Sequence, residues 1–113
     1  MSQVQTPKPL IAYVDTPSVR VFQEFAGESL DKLDQYEAWD VITVLSQAVS
    51  LANRWDYASI DIPEAIDLLN HDVSLSDNCL VCLKALNGFP ANKVNALMLG
   101  ILAVAFEEVD KCH

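Results

Sequence analysis

An unbroken apolar stretch, ALMLGILAVAF at residues 96–106, decides the fold of this chain. We expect it to lie within a helix spanning about 92–109, and such a helix has no polar face through its middle. A helix that is apolar on every side is buried on every side, either in a core or in an interface. In a chain of 113 residues this predicts a buried C-terminal helix with the other helices packed around it.

The length and composition indicate one domain with a surplus of apolar residues. A chain of 113 residues matches the size of a single domain, and 51% of its residues are hydrophobic. A domain this small has a high ratio of surface to volume, so part of its apolar surface stays uncovered. We therefore expect a homodimer with a helix-on-helix interface.

The charge excludes two classes of partner. Sixteen acidic and seven basic residues give a net charge of −9. Direct binding to nucleic acid needs Lys and Arg to displace counterions from phosphates, and an anionic membrane also attracts basic residues. The chain is predicted to bind neither. Its field instead attracts a basic protein partner, although the same acidity could serve only to keep an apolar domain soluble.

Nothing in the chain has the pattern of a targeting or membrane-spanning segment. The apolar stretch at 96–106 covers eleven residues, whereas a membrane helix needs about 20. The first residues lack the apolar segment of a signal peptide. Three cysteines, an odd number, fit a reducing compartment better than a disulfide framework. We expect a soluble cytoplasmic protein.

Residues 1–16 are predicted to form an extended N-terminal arm, and residues 17–113 a single all-helical domain. The arm carries Pro7 and Pro9 and shows no helical period. Its apolar segment, Leu10–Val14, favours extended backbone. No second strand candidate follows in the sequence, so we expect the arm to dock on its own domain or on a partner.

Capping residues mark where the helices begin and end. Thr16 followed by Pro17 is typical of a helix start, and Gly27 is typical of a helix end. Asp34 followed by Glu37 is a capping box, and the helix that it opens is expected to run to about residue 54. Two further helix starts are predicted at Asp61 or Ile62 and at Ser74 or Ser76, and a helix end at Asn87–Gly88.

Cys79 and Cys82 have the spacing of a zinc or redox pair, and Cys112 with His113 could complete four zinc ligands. The pair lies in the middle of a predicted helix between apolar residues, however, and a redox CxxC needs a βα context that is absent here. We therefore predict that these cysteines pack in the core, as small apolar side chains do. No metal and no cofactor are expected.

No arrangement typical of a catalytic site is present. His71 precedes Asp72, but no activated nucleophile and no oxyanion-binding glycine turn accompanies them. The sequence also contains no phosphate-binding glycine loop, no zinc-protease motif and no calcium loop. We interpret His71 as a solvated loop residue and predict that the chain is not an enzyme.

Acidic residues form two sets that are candidates for a binding surface. The first set is Glu24, Glu28, Asp31, Asp34 and Glu37, and the second is Asp56, Asp61, Glu64 and Asp67. They could merge into one surface that recognises a basic partner. The alternative is a solvated acidic face, with Asp34 and Asp61 used as helix caps.

Two aromatic residues, Trp55 and Tyr57, lie beside Arg54 at a predicted helix end. Trp, Tyr and Arg are common anchors of protein interfaces, so we include Trp55 and Tyr57 among the candidate binding residues. The alternative is that they close one end of the bundle, with their apolar bodies packed inside.

These features predict a compact all-α bundle of four to five helices around a buried C-terminal helix. The function we expect is that of a non-enzymatic acidic binding protein of the immunity or inhibitor type, which occludes a basic, nucleic-acid-handling protein. The alternative is a helical structural or assembly subunit that self-associates, with acidity serving only solubility. Both hypotheses are analogies with classes of protein, since function follows from sites and not from the fold.

Overall fold

The computed structural model describes residues 9–69 and 74–106 of the chain. Five α-helices form there: α1, Pro17–Ala26; α2, Gln35–Trp55; α3, Ile62–Leu68; α4, Asp77–Ala85; and α5, Val94–Ala105. Short 3-10 turns, Leu10–Ala12 and Ala91–Lys93, precede α1 and α5. No strand forms in these ranges, where the one β pairing is an isolated bridge between Ser59 and Pro90. The predicted all-α bundle is confirmed.

Helices α1 to α4 begin at capping residues that the sequence predicts. Thr16 Oγ1 accepts a hydrogen bond of 3.2 Å from the Val19 amide of α1, and Ser76 Oγ accepts one of 3.1 Å from the Cys79 amide of α4. Gly27 ends α1 with a φ of 94°, a conformation that glycine adopts without strain. These predictions are confirmed because each depends on hydrogen bonds between residues that are close in the sequence.

The helix that holds the bundle together is α2. It contacts α3, α4 and α5, whereas the main contacts of α5 are with α2 and the two 3-10 turns. The side chains that α2 buries are Ala38, Val41, Val44, Leu45, Ala48, Leu51 and Ala52. The position of α5 therefore differs from the expectation, since this apolar helix lies at the side of the bundle.

Only one face of α5 is buried. That face consists of Val94, Leu97, Gly100, Ile101 and Val104. Leu99, on the other side of the helix, is 64% exposed. The expectation that this helix is buried on every side is wrong for a single chain. The reason is size, because a small domain has too few elements to enclose a helix completely.

The N-terminal segment is not extended at its apolar residues. Leu10–Ala12 forms a 3-10 turn with Leu10 fully buried, and the turn packs against α1 and α5. Gly100 permits this approach, because a Cβ there would lie 2.8 Å from Leu10 Cδ1 and 2.9 Å from the Cβ of Tyr13. The expectation of extended backbone is wrong at this turn because tertiary packing outweighs a weak local preference for strand.

Candidate interaction surfaces

The acidic residues between positions 24 and 40, which we call the acidic corner, surround the connection from α1 to α2. At its centre Asp34 caps α2: its Oδ1 accepts a hydrogen bond of 2.8 Å from the Glu37 amide. Glu37 Oε1 accepts one of 2.9 Å from the Asp34 amide in return, which confirms the capping box. The other oxygen of Glu37 accepts a hydrogen bond of 2.6 Å from the Ser76 hydroxyl at the start of α4. Both carboxylates therefore hold the fold together.

The pKa values of two carboxyl groups in the acidic corner are shifted in opposite directions. The hydrogen bonds from Ser76 and from the Asp34 amide lower the pKa of Glu37, because they favour its charged form. Partial burial raises the pKa of Asp40, and the nearby charges of Asp34 and Glu37 add to the effect. Glu37 is stabilised as an anion, whereas the ionised form of Asp40 is disfavoured.

The remaining members of the first set have no polar partner among the described residues. Glu24, Glu28 and Asp31 are exposed and make no hydrogen bond or ion pair with other described residues. Within residues 9–69 and 74–106 the one ion pair joins Asp15 to Arg20, at 2.7 Å. The exposed carboxylates of the acidic corner are therefore available to an external cation.

The second acidic set surrounds the end of α2 and the short helix α3. Asp56 ends α2 in the left-handed conformation, with a φ of 63°. Asp61 caps α3 and accepts a hydrogen bond of 3.0 Å from the Glu64 amide. Asp67 lines a groove of about 520 Å³ between α3 and α4, which Lys84 also lines. The Oε1 atom of Glu64 is buried and has no partner among the described residues.

The first acidic set and the second are anchored at different ends of α2. Asp34 and Asp56 lie at the opposite ends of α2, which has 21 residues. At about 1.5 Å per residue they are about 30 Å apart. The acidic residues therefore extend along the molecule, and their charges add to one long-range field.

Trp55 and Tyr57 lie on the surface near the end of α2. Trp55 is 60% exposed, and Tyr57 is exposed beside an open depression that Asp61 and Asn87 also line. Neither aromatic ring is enclosed by the end of the bundle. Both remain candidates for contact with a partner.

A second type of surface lies along α2 and α5, the two helices in which the sequence predicts a surplus of apolar surface. We call it the uncharged face, and its members are Trp39, Ile42, Ser46, Asn95, Met98, Leu99, Leu102 and Phe106. Most of them line a groove of about 460 Å³ between the two helices. The Ser46 hydroxyl donates to Met98 Sδ at 3.6 Å across the groove. The rings of Trp39 and Phe106 stack with their centroids 4.7 Å apart.

The uncharged face follows from two stretches of sequence without charge. No Asp, Glu, Lys or Arg occurs between Asp40 and Arg54 in α2, or between Lys93 and Glu107 around α5. Surface helices normally carry charged residues on their outer side. The structure places these two uncharged helices side by side, so it locates the apolar surplus that the sequence predicts. Trp39, at the α2 end of this face, has a side chain that is 48% exposed.

Cys79 and Cys82 are buried in the core, as predicted. Burial raises the pKa of both thiols, that of Cys82 to about 11, so both are protonated at neutral pH. Within the described ranges no group of three His, Cys, Asp or Glu residues is arranged to hold a metal ion. Cys112 and His113, the other potential ligands, lie outside the described residues, as do His71 and Asp72.

The comparison of the chain with known protein families, characterised proteins and solved structures finds no match. None of the helices in the described ranges is long and apolar enough to cross a membrane. The surfaces themselves are therefore the basis for a functional hypothesis.

Proposed function

We propose that the chain is a cytoplasmic, non-enzymatic binding protein that occludes a basic, nucleic-acid-handling protein partner. One observation carries this proposal: the exposed carboxylates of the molecule are left largely without internal counterions. The chain has a net charge of −9, and Asp15–Arg20 is the one ion pair within the described ranges. A field of this sign accelerates the approach of a basic surface and repels nucleic acid.

The residues proposed to contact the basic partner are those that the fold leaves free. Glu24, Glu28 and Asp31 at the acidic corner and Asp67 on α3 have exposed side chains. Trp55, also exposed, supplies an aromatic anchor of the kind that interfaces use. A protein covering the phosphate-binding surface of a nucleic-acid enzyme in this way competes with the substrate by charge and by volume. No chemical step is needed.

The experiment compares wild-type chain with a triple charge reversal, Glu28→Lys, Asp31→Lys and Asp67→Lys. Each is first used to capture binding proteins from an extract of the native host. The association rate constant of the captured protein is then measured at several salt concentrations. The reversal is expected to slow association, and the difference to shrink as the Debye length falls below about 8 Å. A Leu99→Ser variant keeps every charge and should associate at the wild-type rate. Equal rates for wild type and reversal at low salt would refute the proposal.

A second candidate function is that of a helical assembly subunit that forms a homodimer. The uncharged face favours it, because an apolar surface left open on a small domain is a common site of protein contact. In this proposal the acidity serves solubility, and charge reversal has almost no effect on self-association. Sedimentation velocity tests it directly, since a chain that remains at 12.5 kDa at every concentration does not self-associate.

A further inference from the structure

One side of α5 is open although the rest of the helix is packed. α2 covers one side, and the turn at Leu10 covers another, where it approaches Gly100 closely. The third side carries Leu99, which is the most exposed large aliphatic side chain of the described residues. Nothing in the described chain covers it.

Electrostatics decides what kind of molecule suits this surface. A basic partner gains no attraction from a face without charge, and its own cations would lose hydration there. Two copies of the chain, each with a net charge of −9, repel each other wherever their carboxylates meet. The uncharged face is where this repulsion is weakest, and a second copy presents the same face.

The shape of the uncharged face also suits a second copy. Leu99 is one of the residues that line a groove of about 460 Å³, and its side chain is 64% exposed, so a groove and a large exposed side chain share one surface. In a dimer with twofold symmetry each copy places its ridge against the groove of the other. The groove is lined by four apolar residues together with Ser46 and Asn95, and interfaces commonly combine apolar with polar residues.

The size of the uncharged face sets the strength of such a dimer. The members of the uncharged face span residues 39–46 of α2 and residues 95–106 in and just after α5. These are about 12 Å and about 18 Å of chain at helical rise, and helices with side chains are about 10 Å wide. Together they offer on the order of 300 Å² per copy, or about 600 Å² in a dimer. This is below the size of a stable interface, so we expect a weak dimer that dissociates on dilution.

We infer that the uncharged face is the interface of a twofold-symmetric homodimer, in which Leu99 of each copy occupies the α2/α5 groove of the other. This inference rests on the second candidate function, self-association, and is independent of the basic partner. It specifies the surface, the partner and the symmetry of the contact.

The first test uses sedimentation velocity over a wide range of concentrations. Wild type should shift from 12.5 kDa to twice that mass as concentration rises. Leu99→Glu should weaken the dimer about tenfold or more, because the symmetry buries two carboxylates at once. Ser46→Arg should act similarly from the α2 side. Leu68→Glu is the matched control, since Leu68 is 58% exposed on α3, and it should dimerise like wild type.

The second test uses the two tryptophans as local reporters. Trp39 lies on the uncharged face and Trp55 at the end of α2. In a Trp55→Phe variant the emission of Trp39 should shift to shorter wavelength as concentration rises. In the matched Trp39→Phe variant the emission of Trp55 should stay constant.

The outcomes separate the inference from the proposals on which it depends. A wild type that stays monomeric overturns both self-association and this interface, and leaves the acidic binding function standing. A dimer that survives Leu99→Glu and Ser46→Arg overturns the interface alone. Circular dichroism identifies a variant that has lost its helices, and the other variant then decides. A concentration-dependent shift of Trp55 rather than Trp39 would place the contact elsewhere and also overturn the inference.

Discussion

The acidic corner and the uncharged face meet on α2, where Glu37 and Trp39 are close neighbours, yet their side chains serve the fold differently. In the acidic corner the Glu37 carboxylate accepts hydrogen bonds from the Asp34 amide and from the Ser76 hydroxyl. Asp34 has a reciprocal role in the same capping box. On the uncharged face Trp39 stacks on Phe106 but remains half exposed. Leu99, further along that face, contributes little to the packing of its own chain.

This difference shows that residue type is a poor guide to which side chains are free for a partner. Asp34, Glu37 and Asp61 were predicted both as candidate binding residues and as capping residues, and their carboxylates do cap helices. Leu99 lies in a stretch predicted to be buried, but its side chain faces solvent. What a side chain already contacts within the chain is the more informative property.

The largest expected effect contrasts the two sides of α5. Leu97 is fully buried and Leu99 is 64% exposed. Leu97→Ala should lower the free energy of unfolding by about 2–5 kcal/mol, because it leaves a cavity in the core. Leu99→Ala should change it by less than about 0.5 kcal/mol. Urea unfolding at low protein concentration measures both without a contribution from dimerisation. Comparable losses at the two positions would mean that α5 is not half-buried.

The next effect concerns the close approach of Leu10 and Tyr13 to α5. Gly100→Val places a branched side chain where even a Cβ lies within 2.9 Å of its neighbours. Overpacking of this kind costs about 1–3 kcal/mol. Ala96→Val is the matched control on the exposed side of the same helix, and only the small difference in helix propensity should appear there. Thermal unfolding of the two variants distinguishes them, and equal midpoints would contradict the described packing of the N-terminal turn.

A smaller effect separates structural from free carboxylates within the acidic corner. Asp34→Ala removes the cap of α2 and should cost about 1 kcal/mol. Glu28→Ala, at an exposed position without contacts, should stay within about 0.5 kcal/mol of wild type. Chemical denaturation of both variants makes the comparison. If Glu28→Ala cost as much as Asp34→Ala, the carboxylates of the acidic corner would not divide into two classes.

The sequence predicted the features that depend on neighbours in the chain. The capping box of Asp34 and Glu37, the cap at Thr16 and the glycine at the end of α1 are all present. Each is a pattern of hydrogen bonds or backbone angles within a few residues. Helix type in the apolar stretch at 96–106 was also predicted, since α5 covers most of it. The buried cysteines followed from their apolar context.

The sequence did not predict features that depend on which helices become neighbours. The uniform apolar stretch contains no pattern that tells Leu97 from Leu99, so the open side of α5 could not be assigned. The 3-10 turn at Leu10 depends on a contact with Gly100, far away in the chain. Likewise, the uncharged face exists only because α2 and α5 pack side by side. Local propensities carry no information about such pairings.

The smallest expected effect contrasts two carboxylates one turn apart on α2. Ionisation of Glu37 stabilises the fold, whereas ionisation of Asp40 destabilises it. Glu37 has a lowered pKa, so its contribution to stability is present above its ordinary pKa of about 4 and is lost as pH falls through the folded value. Asp40 has a raised pKa, so its ionisation opposes folding. The contribution of Asp40 to stability is therefore highest below its ordinary pKa and falls as pH rises through its folded pKa.

Asp40→Asn should therefore stabilise the chain at pH 7, by about 0.2–0.5 kcal/mol if the repulsion resembles that of like charges one helical turn apart. The gain should vanish near pH 3, where wild-type Asp40 is neutral. Glu37→Gln is the control with the opposite sign: it should destabilise at pH 7, and less so at low pH. Because partial burial is the first cause of the Asp40 shift, high salt should remove only part of the gain. Urea unfolding at the two pH values, with and without salt, measures the change in unfolding free energy of each variant. A gain for Asp40→Asn that persisted unchanged at pH 3 would show that this carboxylate is not disfavoured by its charge.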